Sequence, residues 1–147
     1  KTALPYALDE SIQCGGELHD AWLSGPCGDT QATALQAIIA GADAVVIKPT
    51  LSCGTDAIVK LRHSAWLPKK RVISAAFESG VGIASLAHFA AAFSPPNTPA
   101  GLDTYAWLEE DVLETRLPLA GGSADADALG RTARRLRYDA LDLVWEG

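Results

Sequence analysis

The run Asp43-Ala44-Val45-Val46-Ile47-Lys48-Pro49 constrains this chain more than any other stretch. Ala44 to Ile47 carry no polar side chain, so the segment does not read as a strand with one wet face. Continuous apolar strands of this kind belong to parallel sheets covered on both sides. Lys48 then closes the strand in one of two ways. It is an exposed terminus, or an amine carried to the tip of a buried strand.

The same pattern recurs along the chain. "LPYAL" (4–8) reads as a first strand, with Pro5 tolerated near its start. "RVISAAF" (71–77) reads as a third and "GLDTYAWL" (101–108) as a fourth. Helical segments separate them. Asp29 or Thr30 caps "QATALQAIIAG", which Gly41 ends. Gly54 or Thr55 opens "DAIVKLRHSAWL", and "SGVGIASLAHFAAAF" stops at Ser94-Pro95-Pro96. This rhythm predicts right-handed βαβ units and a parallel sheet. The Gly- and Cys-rich segment 12–28 is longer than an ordinary connection, so it is either an active-site loop or a local insertion. "PLAGGSADADALG" reads as a loop, and "LGRTARRLRYDALDLVW" as a helix, or a helix and a strand. On a helix Leu129, Ala133, Leu136 and Ala140 share a face, and Arg131, Arg134, Arg135 and Arg137 are its solvated side.

Composition narrows the function classes. A length of 147 residues, 48% hydrophobic and 20% charged, suits one globular domain with a single core. A net charge of −6 argues against nonspecific nucleic-acid binding, which needs a basic surface. No apolar run approaches the ~20 residues of a membrane span. Cys14, Cys27 and Cys53 are odd in number and irregularly spaced, which suggests a reducing compartment rather than a disulfide framework. The start at Lys1 runs almost directly into a strand and looks cut from something longer. Several weaker motifs have plain readings. The 118–130 segment lacks a phosphate-loop lysine, and Cys14, Gly15, Gly16 and His19 lack a second ligand pair for zinc. His63 and His88 fall within helices as packed or solvated residues, and Trp22, Trp66 and Trp107 read as core or loop packing.

In parallel α/β folds ligands gather at the carboxyl ends of the strands. That rim holds Asp9-Glu10-Ser11, Lys48-Pro49-Thr50, Ser74 with Phe77-Glu78-Ser79, and Gly101 with Asp103. Alternation puts Pro5, Ala7 and Asp9 on one side of their strand, and Ala44, Val46 and Lys48 on one side of theirs. Val72 and Ser74 pair likewise. A face of small residues with a polar tip suits a barrel interior that opens on an active site, and it favours an inward Lys48. From spacing alone Asp9 is equally a capping carboxylate and Lys48 an exposed terminus.

"ALDES" (7–11), "VVIKPTLSCG" (45–54), "VISAAFESGVGIASLAHFAA" (72–91) and "GLDTYAWLEEDVL" (101–113) together resemble the o-succinylbenzoate synthase family of the enolase superfamily. The resemblance runs in order from about residue 4 to residue 113. It implies an α/β fold, the C-terminal half of an enolase-type (β/α)7β TIM-like barrel. Residues 1–114 would form strands five to eight of that barrel, and 115–147 a tail that is helical or helix plus strand. The implied activity is a metal-dependent dehydration, a carbon–oxygen lyase step through an enediolate, in menaquinone or phylloquinone biosynthesis. The family's metal, Mg²⁺ or Mn²⁺, would be held in part by Asp9, with Glu10 beside it as supporting carboxylate. Lys48 would be the catalytic cation opposite the base, and Ser74 and Gly101 would contact a small carboxylate substrate.

Parts of the family pattern lie outside this chain. The family's base lies in a Lys-x-Lys motif on an earlier strand, further metal ligands sit on two others, and a capping domain closes the site. Lys69 and Lys70 precede the third strand and do not stand in for the base. The expected partners are therefore the N-terminal half of the barrel and its capping domain, with no nucleic acid and no membrane span. The isolated chain is expected to be inactive, and marginal, aggregating or paired with a second half, because half a barrel leaves two unpaired edges. The expected location is the bacterial cytoplasm, or the chloroplast stroma of an alga or plant. The alternatives are an N-succinylamino acid racemase or another superfamily enzyme, and a non-catalytic fragment or module of a larger fusion.

Overall fold

A computed structural model describes residues 7–9, 41–52, 59, 70–119 and 122–141. Glu10, the segment 12–28, the three cysteines, His19, His63, Trp22 and Trp66 lie outside the described residues, as does most of the two helices expected before residue 70.

Strands β1 (Ala7–Asp9), β2 (Ala44–Ile47) and β3 (Lys70–Ile73) form a three-stranded parallel sheet in the order β1-β2-β3. The register pairs Asp9 with Val46 and Val46 with Val72, so these Cα atoms lie in one row across the sheet. A parallel bridge between Ser74 and Gly101 extends it beyond β3. The fold is thus α/β with parallel strands, and among the described residues the sheet is small and not closed into a barrel.

Packing separates the two faces of β2. Val45 and Ile47 are 0% and 1% exposed, whereas Ala44, Val46 and Lys48 on the opposite face are half-buried. The buried face joins Ile73, Ala75 and, beyond the short helix α1 (Pro49–Ser52), the apolar stripe of helix α2 (Gly80–Phe93), which contributes Ile83, Ala84, Leu86 and Ala87. Burying each side chain of the size of Val45, Ile47, Ile73 or Ile83 stabilises the fold by about 1.5–3 kcal/mol. The cover expected on both faces of this strand is found on one: helices pack over Val45 and Ile47, while the face of Ala44 and Val46 stays half-buried.

Helix α2 ends where Pro95 removes the next backbone donor. Ser94 still donates its N–H to Ala90 at 3.0 Å, and its hydroxyl bonds Arg71 O at 2.8 Å, tying the helix end to β3. Two other segments depart from expectation. The stretch after Gly101 is not a fourth strand: only Gly101 pairs, and Asp103–Trp107 turn into a 3₁₀ helix that buries Tyr105. Trp107 is 80% exposed on that turn and packs into no core. The tail does not present one long helical face. Helix α3 (Ala126–Thr132) is capped by the Asp125 carboxylate, which accepts from Asp127 N and Ala128 N. Beyond it Leu136 pairs antiparallel with Leu113, and Arg137 N–H bonds Val112 O at 2.8 Å, so the backbone leaves the helix to satisfy a distant strand-like segment. Leu129 on α3 is fully buried in the same cluster as Ile83. Arg131, Arg134, Arg135 and Arg137 are exposed, as expected.

Candidate functional site

The candidate site is the carboxyl rim of the sheet. Lys48 follows β2 directly, half-buried, on the face shared with Val46. Its carbonyl accepts from Leu51 N–H at 3.0 Å, so the chain turns at once into helix α1 (Pro49–Ser52). Pro49 suits that first helical position because its missing N–H would have had no partner there. The helix expected to open at Gly54 or Thr55 is thus preceded by a helical turn at the strand tip itself.

Ser74 continues the ladder beyond β3: its N–H bonds Ile47 O at 2.9 Å. Gly101 is its neighbour on the far side, joined through Ala75 N to Gly101 O at 2.7 Å and Gly101 N to Ile73 O at 2.9 Å. The Ser74 hydroxyl lies 3.3 Å from Gly101 O and 3.4 Å from Ala75 O. A Cβ at position 101 would meet Ser74 Oγ at 2.6 Å and Ser74 Cβ at 3.1 Å, so any other residue there would push the serine side chain aside. The Cα of Asp9 sits in the row of Val46, two residue pairs short of the level of Lys48 on the adjacent strand. Asp9, Lys48, Ser74 and Gly101 therefore come to the same end of the sheet on successive parallel segments. Lys70, by contrast, starts β3 at the opposite end, level with Ala44.

Past Ser74 the chain makes a tight reversal. Phe77 adopts φ of +67° and is 62% exposed, an uncommon backbone state for a bulky side chain. The reversal brings the Glu78 carboxylate back over its own loop, where Oε2 accepts from Ala76 N–H at 2.6 Å. Its other oxygen accepts a hydrogen bond from the Thr50 hydroxyl on α1. Sequence reasoning placed Thr50 and Glu78 at the rim without joining them, because no periodicity links positions 28 residues apart.

Behind the rim, Asp111 holds helix α2 in place. Ser79 makes no side-chain cap, and instead Asp111 Oδ1 accepts from Gly80 N–H at 2.9 Å. Its Oδ2 accepts from the Tyr105 hydroxyl at 2.6 Å, and that hydroxyl in turn accepts from Leu117 N–H at 3.2 Å. Burial, then the bond to Asp111, raises the Tyr105 phenol above its ordinary value of 10.0. Arg116 stacks 4.8 Å from the Tyr105 ring and bonds Leu108 O and Tyr105 O. His88 is exposed, bonds Ala84 O at 2.8 Å within α2 and lies 3.8 Å from Asp127, the solvated one of the two places expected for it.

Among the described residues no group of three or more His, Cys, Asp or Glu side chains could hold a metal ion. Mg²⁺ prefers near-octahedral oxygen coordination, so a carboxylate at the position of Asp9, the last residue of β1, would need further oxygen donors. Among the described residues no helix is long and apolar enough to cross a membrane.

Comparison with known proteins places these features. No family model matches the chain, and no solved structure matches it. The chain is 34% identical over 114 residues to an o-succinylbenzoate synthase of Edwardsiella ictaluri, covering 73% of this chain and 29% of that protein. It is 33% identical over 132 residues to the chloroplastic protein PHYLLO of Arabidopsis thaliana, covering 80% of this chain and 7% of that one. A further o-succinylbenzoate synthase, from Haemophilus influenzae, is 44% identical over 71 residues, 48% of this chain and 21% of its own. The chain thus spans less than a third of the length of each of these relatives. It is a family-level match to the o-succinylbenzoate synthase-like sequences of the enolase superfamily, over a partial, carboxyl-terminal-like stretch.

Proposed function

We propose that this chain supplies the lysine-bearing side of an o-succinylbenzoate synthase-type active site, completed by strands outside it. The reaction is a dehydration: a proton leaves the carbon beside the substrate carboxylate, hydroxide leaves the ring, and the ring becomes aromatic. Negative charge develops on the carboxylate as the proton departs, and a fixed ammonium beside it lowers that barrier. Lys48 is that ammonium. Ser74 supplies a hydroxyl next to it, and Gly101, whose missing side chain makes room for that hydroxyl, is the neighbouring substrate-contacting position. Asp9, supported by Glu10, is one ligand of a Mg²⁺ or Mn²⁺ shell whose remaining oxygens come from the other strands. The observation that carries the reading is the ladder from Ile47 to Ser74 to Gly101, which sets the three rim positions side by side. The fold of residues 1–114 as a barrel half, with 115–147 as its tail, belongs to the same reading. So does residence in bacterial cytoplasm or chloroplast stroma, since one relative is a chloroplastic protein.

The test is complementation. The chain is mixed with a polypeptide carrying the preceding strands and capping domain of a relative, and formation of the aromatic product is followed by absorbance with Mg²⁺ present. Activity is expected only in the mixture, and Lys48→Ala is expected to lower kcat by at least about 100-fold, the scale of losing one preorganised charge donor. Mg²⁺-dependent dehydration by the chain alone, or a Lys48→Ala mixture as active as the parent, would refute the proposal.

A further inference from the structure

We infer that Glu78 is a positioning residue that couples the lysine-bearing tip to the serine-bearing tip through Thr50. The inference rests on the proposed reading only in taking Lys48 as the working group. Its geometry stands separately. One oxygen of Glu78 is spent on Ala76 N–H at 2.6 Å, two residues past Ser74. The other receives the Thr50 hydroxyl, two residues past Lys48. The turn Lys48–Leu51 is closed by its own 3.0 Å bond, so a pull on Thr50 is transmitted directly to the Lys48 backbone. A single carboxylate therefore bridges the chain segments that leave β2 and β3.

Two neighbouring residues are shaped around that bridge. Phe77 accepts a left-handed backbone at φ +67°, which turns the chain so that Glu78 faces back over the loop. Gly82, on the first turn of α2, leaves room for the Glu78 stem: a Cβ there would meet Glu78 Cβ at 2.6 Å. A glutamate that were merely solvated would need neither feature. Bonds to an ionised acceptor are also stronger than neutral ones, which suits a tie made at a half-exposed site.

The test uses the 147-residue chain with ¹³C-dimethylated lysines, the Lys48 resonance being assigned by Lys48→Arg. Thr50→Val and Glu78→Ala are each expected to move the Lys48 resonance, and the double variant is expected to move it no further. Thr50→Ser is expected to restore the parent position. In Glu78→Ala, exchange of the Ala76 amide should speed up about tenfold or more, the factor for losing a bond to a charged acceptor. An unmoved Lys48 resonance in variants with the parent far-ultraviolet dichroism would overturn the inference, as would additive shifts. Unfolding of Thr50→Val would overturn it too, because a residue that only positions does not hold up the fold. Should Lys48 respond as stated while Lys48→Ala leaves the complemented dehydration intact, the coupling stands and the functional reading falls. Loss of dehydration in Lys48→Ala with no response of Lys48 to Thr50→Val leaves the functional reading standing and removes the coupling.

Discussion

Replacing Asp111 by alanine tests how the rim is held from behind. The substitution removes the acceptor for Gly80 N–H at 2.9 Å, for Val112 N–H at 2.8 Å and for the Tyr105 hydroxyl at 2.6 Å. Gly80 opens α2, so its N–H is one of the orphan donors of a helix start, and a carboxylate there also interacts favourably with the helix dipole. Tyr105 is only 2% exposed, so its hydroxyl has little access to water once Asp111 is gone, though Leu117 N–H still reaches it at 3.2 Å. Bonds to charged groups contribute about 1.5–3 kcal/mol each and do not add fully, so a total loss of about 3 kcal/mol is expected. With a urea slope of about 2 kcal/mol/M, the unfolding midpoint should fall by about 1.5 M, or the cooperative transition should vanish if the parent holds less than this. Tyr105→Phe alone should cost about 1–2 kcal/mol, and the double variant should fall short of the sum of the singles. Far-ultraviolet dichroism across a urea series reads all of these values. Asp111→Ala within about 0.5 kcal/mol of the parent, at unchanged slope, would show that this carboxylate does not anchor α2.

Two further outcomes follow from the same geometry. The Tyr105 phenol is raised in the folded chain, first by burial and then by Asp111, so the folded state keeps its proton at pH values where the unfolded chain has lost it. Stability from this group is therefore intact below pH 10.0 and falls as pH rises through the folded value. Tyr105→Phe should flatten that alkaline decline, and an unchanged pH profile would contradict the assignment. At Phe77, φ of +67° reverses the usual order of glycine and alanine. Phe77→Gly should be more stable than Phe77→Ala by about 1 kcal/mol, because the left-handed state penalises a Cβ; equal midpoints would show that the turn is relaxed.

The parts of the fold that could be read from the chain were those whose physics is local. Ala44 to Ile47 contain no polar residue, and the segment forms the central strand, buried on the face of Val45 and Ile47 and half-buried on the other. The run 80–93 is apolar, strong in alanine and followed by two prolines, and it is helical from Gly80 to Phe93. Alternation also put Lys48 and Val46 on one side of β2, where both are half-buried. Gly101 to Leu108 looked equally strand-like, but its backbone follows Tyr105 inward to Asp111 and Leu117 rather than any local preference. The tail failed for the same reason. Leu136 and Leu129 fit one helical face on paper, yet the amide of Arg137 finds its acceptor at Val112.

The sequence by itself determined the parallel α/β class, the central strand and the residue types brought to the rim. Those follow from periodicity, which is a property of neighbours along the chain. Only the tertiary structure decided which rim residues bind one another, that Glu78 meets Thr50, and that Asp111 rather than Ser79 caps α2. These bonds join positions 28 and 31 residues apart, and their partners are selected by how strands and helices pack. No spacing rule carries that information, because the distance along the chain is set by the length of the intervening elements and not by the chemistry at their ends.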